Sequence, residues 1–347
     1  MKKNRFAVVL LWVLVIAMSL SACGNTAVQQ PATQPATQPV TPAAPDDAAT
    51  DEPIDLSGIN LTFYTGGTTG TYYAFGAAVA LMWNEVYPGL DVQVQSSGGA
   101  KANLYALVDD ECDIGFVQND MAYYAINGID IFEGQPETGY YGIAALYPEV
   151  VQITGIKGLR DVSDVKGMRV SMGELGQGVL SNTNQIFEAY GITLDDVEAY
   201  NLSVSDAADQ IKDGKLDAYF TTSGCPAPHI VDLMTVKDCD LIGIRDDIRD
   251  QLIKDYAFYS KYTIKAGVFE KIDYDVETLA VKSMLLVNDN MPDDVAYALT
   301  KALFEHSDEV SHSKAADINI EEALVGMTVP LHPGAARYYA ERGYSIS

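Results

Sequence analysis

Five short segments collect small polar residues in a pattern that suits binding: Thr65 to Tyr73, Ser96 to Asn103, Gln118 to Asp120, Gly173 to Ser181 and Thr221 to Pro226. Each offers hydroxyls, amides or glycines, and most lead into a predicted helix. A helix start leaves N–H groups unpaired and carries the positive end of the macrodipole, so it can hold an anion without Arg or Lys. Taken singly, such segments are ordinary caps and turns. Five of them in corresponding positions point to one binding surface. They do not point to catalysis. The only histidines are His229, His306, His312 and His332, none in a nucleophile-elbow or zinc pattern, and Gly-x-Ser-x-Gly is absent. The Gly66–Gly70 loop lacks the Lys of a phosphate-binding loop, and no Cys/His cluster has metal-ligand spacing. The expectation is a binding protein with no enzyme activity, no metal and no cofactor.

The elements that must position these segments follow from hydrophobic periodicity. Leu61 to Tyr64 reads as a strand, and after a Gly/Thr turn Tyr72, Phe75, Val79, Met82 and Val86 recur at helical spacing until Pro88-Gly89. Leu90, Val92 and Val94 alternate as a strand; Ser96-Ser97-Gly98-Gly99 opens a second helix; Ile114 to Val117 is a short buried strand. That β-α-β-α-β order predicts a parallel sheet with helical crossovers. It recurs about 100 residues later, with strands at Met168–Met172 and Val197–Leu202, a helix ended by Gly191 and another begun at Ser203. Asp109-x-x-x-Asp113 before Ile114 is mirrored by Asp213-x-x-x-Asp217 before Ala218. The fold class is α/β: two similar lobes with mixed, mainly parallel sheets. In such sheets ligands bind beyond the carboxyl ends of the strands, which is where all five segments fall.

Composition narrows the partners. With 22 Lys+Arg against 48 Asp+Glu, a formal charge of −26 excludes nucleic acid as a natural partner. Lys2, Lys3 and Arg5 precede the unbroken apolar run Phe6–Met18, the layout of a secretory signal. Leu20-Ser21-Ala22-Cys23 resembles a bacterial lipobox and implies a lipidated Cys23, with an unlipidated secretory signal as the alternative. Six prolines in Gly24–Ser57 predict a semi-extended tether. The expected organisation is a signal peptide at 1–22, Cys23 and tether at 23–57, the first part of lobe I at 58–149, lobe II at 150–264, and a return to lobe I at 265–347. Of Cys112, Cys225 and Cys239 at most one pair can bridge, and a Cys225–Cys239 disulfide and free thiols both stay open.

Tyr64-Thr65-Gly66-Gly67-Thr68-Thr69-Gly70-Thr71-Tyr72-Tyr73, Val117-Gln118-Asn119-Asp120 and Leu331-His332-Pro333-Gly334-Ala335-Ala336-Arg337-Tyr338-Tyr339 together resemble the TAXI family of TRAP-associated extracytoplasmic solute receptors. The resemblance runs from about Leu61 to Gly343. It implies a type II periplasmic-binding-protein fold whose lobes close on a small solute, glutamate-, glutamine- or 2-oxoglutarate-like. It further implies delivery to a fused TRAP membrane permease by a monomeric receptor held outside the cytoplasm by its lipid. A receptor that presents its closed state to a signalling partner would need the same cleft. By the same resemblance Thr68, Thr69 and Tyr72 supply hydroxyl and phenol contacts. Asn103 would clamp a carboxylate or amide, and Gln118 and Asp120 would stand at a strand end, the Asp suited to a substrate ammonium. Thr221, Thr222 and Ser223 would face them; Ser97, Gly98, Gln177 and Gly178 complete the expected set. The second-lobe loop departs from the family's Gly-x-x-Gly-Ser-Gly-Thr, since Gln177 and Val179 replace its Ser and Thr. Arg337, in the C-terminal motif, is assigned to packing or an ion pair.

Overall fold

The repeated strand–helix grammar folds as two parallel units. The computed structural model describes residues 54–345; the signal segment, Cys23 and nearly all of the tether lie outside the described residues. The first unit is β1 (Asn60–Tyr64), α1 (Thr71–Val86), β2 (Asp91–Gln95), α2 (Ala100–Val108) and β3 (Ile114–Gln118), followed by α3 (Asn119–Asn127). A 17-residue strand, β4 (Tyr140–Ile156), leads to the second unit: β5 (Arg169–Ser171), α4 (Gly178–Tyr190), β6 (Glu198–Tyr200), α5 (Val204–Lys212) and β7 (Ala218–Ser223). Then come α6 (Pro228–Val236), β8 (Cys239–Ile242), α7 (Asp246–Asp255), β9 (Ser260–Ile264), β10 (Val276–Asn288), α8 (Asp293–Glu305) and α9 (Pro333–Glu341).

Within each unit the ladders are parallel and the order is the same: β2-β1-β3 in the first, β6-β5-β7 in the second. The repeated Asp explains part of this likeness. Asp113 Oδ2 accepts from the Thr62 amide at 2.7 Å, and Asp217 Oδ2 accepts from the Arg169 amide at 2.9 Å. Each carboxylate thus pins the start of its unit's third strand to the first strand of that unit.

Two long strands fuse the units into one ten-stranded sheet. β10 runs antiparallel to β3, and β4 antiparallel to β7, with β4 and β10 paired to each other between them. The switch is at Val150, which pairs with Ala280 of β10 and with Ser223 of β7. Earlier residues of β4 pair with β10; later ones lie between β7 and β8. Pro148 has no N–H to give the ladder, and the register slips opposite it, between Lys282 and Met284.

The cores follow from the apolar faces. Phe63, Phe75, Trp83 and Phe116 pack α1 on the first unit's sheet, and the Trp83 indole donates to the Leu299 carbonyl of α8 at 3.0 Å. Val150, Tyr219, Ile230 and Leu241 belong to the core that α5 and α6 cover in the second unit. Burying each such side chain is worth roughly 1.5–3 kcal/mol. In this structure Cys112, Cys225 and Cys239 are free thiols, without the Cys225–Cys239 bridge weighed from the sequence. Cys225 follows β7 and Cys239 opens β8, with α6 between them.

Candidate functional site

The carboxyl ends of the parallel strands of both units face one another across a cleft. Its inner cavity, about 160 Å³, is lined by Gly66, Gly67 and Thr69 after β1, Gly99 after β2, Gln118 at the end of β3, Gln177 and Gly178 after β5, Ser203 after β6, and Thr221 to Ser223 at the end of β7. The helices α1, α2, α4, α5 and α6 all begin at this cavity, through Gly70, Ala100, Gly178, Val204 and Pro228. Their first-turn amides supply partial positive charge from five directions. An adjoining cavity of about 470 Å³ shares the Thr69–Thr71 and Pro228–His229 walls and carries Thr68, Lys212, Asp232 and Lys314.

The two sides of the cleft touch. A Cβ at Gly178 would collide with Gln118 Oε1, and one at Gly224 would stand 2.8 Å from Thr71 Oγ1. A larger residue at either position would require the facing side chain to move. This is a closed arrangement.

Of the residues expected from the sequence, Thr69, Tyr72, Gln118, Gln177, Gly178, Thr221, Thr222 and Ser223 line the inner cavity, and Thr68 lines the adjoining one. Four others lie elsewhere. Asn103 is buried, and its amide donates to the Thr65 and Phe116 carbonyls at 2.7 and 2.8 Å, tying the end of β1 to β3. Ser97 Oγ accepts from the Gly99 amide at 3.1 Å, shaping the turn, and exposed Gly98 yields its expected place to Gly99 and Ala100. Asp120 is fully buried and accepts from Asn182 Nδ2 at 2.7 Å and from the Met121 amide at 2.8 Å. Asn182 in turn donates to Tyr259 and accepts from Thr222, while Tyr259 donates to Gln185. Asp120 therefore clasps α3 to α4. Arg337 makes the assigned ion pair, with Asp294 at 2.9 Å.

Two acids do line the inner cavity, Glu174 and, at the unit crossing in β4, the buried Glu149. Glu149 Oε2 accepts from Gln118 Nε2 at 3.0 Å; its Oε1, the Tyr72 and Tyr147 phenols and the Ser283 hydroxyl have no hydrogen-bond partner. The Tyr72 and Ser283 hydroxyls stand close enough to favour the ionised carboxyl, yet neither completes a bond of ordinary geometry. Burial pushes the Glu149 carboxyl up to about 8 and Asp120 to about 7, and the Asp120 charge adds to the first shift. His229, which lines both cavities, is lowered to about 4 by burial and is neutral at pH 7. Reasoning from spacing missed Glu149 and Tyr147; the one available signal was a lone acid beside Pro148 in a largely apolar strand.

Chemically the arrangement suits binding. Its hydroxyls, amides and helix starts could fix a small polar solute, and among the described residues no group of three His, Cys, Asp or Glu could hold a metal. Among solved structures the chain is similar to the periplasmic aliphatic sulphonate binding protein SsuA from Escherichia coli, at 14% identity over 82% of this chain and 83% of that one, TM-score 0.48. It is also similar to a TctC solute binding protein from Polaromonas, at 14% identity over 82% and 97%, TM-score 0.45. The third is the structure described for glutathione import via GshT and the cystine importer TcyBC of Streptococcus mutans, at 12% identity over 81% and 100%, TM-score 0.48. A family model matches residues 63–343, both units and the return strand included, and the chain belongs to the NMT1-like family.

Proposed function

We propose that this protein is the extracytoplasmic solute receptor of a transporter: it captures a small organic solute by closing its two units and hands it to a membrane permease. The observation that carries this reading is the convergence of five helix N-termini on one closed cleft. Such a ring suits a solute with an anionic group and needs no basic side chain. The cavity's size favours a metabolite over a drug-sized molecule. The motifs of the TAXI resemblance favour a TRAP permease and a glutamate-, glutamine- or 2-oxoglutarate-like solute. The lipobox at Leu20–Cys23 favours a lipid anchor.

A thermal-shift screen of the purified protein against amino acids, dicarboxylates and 2-oxoacids tests the reading. A solute that binds only the folded state raises the melting temperature by mass action. One responding compound, lost on replacing Thr69 and Thr222 by Val, supports the receptor. No response from any class of small polar solute refutes it.

A further inference from the structure

We propose that Glu149, with Tyr72, Tyr147 and Ser283, is the subsite for a protonated nitrogen of the solute, so that the cleft takes ammonium- or amidinium-bearing compounds and rejects their oxo counterparts. This rests on the receptor reading and narrows its substrate class.

Glu149 is 3% exposed and has one carboxylate oxygen unpartnered, while three hydroxyls around it are also unpartnered. All four atoms can accept from an N–H donor, and a protonated nitrogen carries several. Gln118 Nε2 donates to the other Glu149 oxygen, which leaves Glu149 Oε1 unpartnered. The charges around the cavity agree. None of its lining residues is Lys or Arg, its second acid is Glu174, and its imidazole, His229, is neutral at pH 7. Lys314 stands 5.6 Å from the Tyr147 ring centre, but its ammonium is turned to the Cys225 carbonyl at 3.1 Å and to Asp317 at 3.5 Å.

With an ammonium beside it Glu149 gives up its proton to solvent and forms a buried ion pair, whereas a carboxylate or keto oxygen there meets the neutral, protonated acid and the hydroxyls without that pair. The net charge of −26 attracts the same kind of group. The five helix starts remain free for an anionic end, so a zwitterion satisfies both halves of the cavity.

The test uses matched pairs, each member at the same concentration: L-glutamate with 2-oxoglutarate, L-leucine with 4-methyl-2-oxopentanoate, and putrescine with succinate. Calorimetric titration of the whole protein should give binding by at least one nitrogen-bearing member, with its partner weaker by about tenfold or more. Glu149→Gln, which keeps the shape and the Gln118 contact, should remove that preference, and Tyr147→Phe should reduce it several-fold. Asp294→Asn, in the exposed ion pair with Arg337 and lining neither cavity, should leave it intact. Equal or tighter binding of the oxo or dicarboxylate partner, or an unchanged preference in folded Glu149→Gln, overturns the subsite while the receptor survives. Absence of binding by every probe overturns the subsite, and the receptor reading falls with it only if the thermal-shift screen is blank as well.

Discussion

Asp120 and Glu149 are both fully buried acids near the unit junction, and burial raises the pKa of both, yet their surroundings differ in kind. Around Asp120 every side-chain partner is used: Asn182, Tyr259, Gln185, Tyr124 and Thr222 hand hydrogen bonds from one to the next across the two units. Around Glu149 one oxygen and three hydroxyls are left over. Buried polar groups in folded proteins are nearly always paired, so a satisfied network reads as structure and a cluster of unsatisfied groups facing a cavity reads as a place for something else. Sequence alone favoured Asp120 as the ligand's acid. Hydrogen-bond accounting is the ground on which Glu149 is proposed for that role.

The sharpest way to break this comparison is to remove a partner from the satisfied side. Asn182→Ala strips Asp120, Tyr259 and Thr222 of a bond each, and should cost about 3 kcal/mol in a denaturant titration. A cost near zero would mean that the clasp is no more essential than the cavity floor.

A pH profile comes next. The folded values of about 8 for Glu149 and about 7 for Asp120 lie above the ordinary values of 4.5 and 3.8, so the folded chain keeps protons that the unfolded chain releases. On this account stability is fullest below about pH 4, falls as pH rises through the window up to 7–8, and levels off above it. The groups facing Glu149 are Tyr72 of α1, Gln118 of β3, Asp120 of α3, Tyr147 of β4 and Ser283 of β10, with no cation among them. Glu149→Gln should therefore melt several degrees above the parent at pH 8, with the gap closing at pH 5. An equal gap at both values would show that Glu149 does not titrate in this window.

The smallest effect separates the two sets of phenols. Tyr147→Phe removes a hydroxyl that makes no bond and should change stability by less than about 0.5 kcal/mol. Tyr259→Phe removes one that bonds both Asn182 and Gln185 and should cost about 1–2 kcal/mol. Equal costs would erase the distinction.

Much of the architecture is legible in the chain because it is local. The 3.6-residue spacing from Tyr72 to Val86, the glycine turns and the duplicated Asp-x-x-x-Asp before a short apolar strand identify two β-α-β-α-β units. The helix starts that ring the cleft can be read the same way, since a Gly- or Ser-rich entry after a strand is a property of a few neighbouring residues. Asn103 and Ser97 show the limit. Their types suit a ligand, but whether an amide meets a solute or the Thr65 and Phe116 carbonyls depends on how β1 and β3 are spaced.

What the sequence by itself determined is the pair of parallel units, their order along the chain, and the set of loops at their carboxyl ends. Only the tertiary structure decided that β4 and β10 join the units through one sheet, that the slip opposite Pro148 lies beside Tyr147 and Glu149, and that Asp120 spends its oxygens on α4 and its own helix. The physical reason is that periodicity and capping are set by residues three or four apart. The satisfaction of a buried acid is set by partners such as Asp120 and Asn182, 62 residues apart, which meet only when the chain is folded.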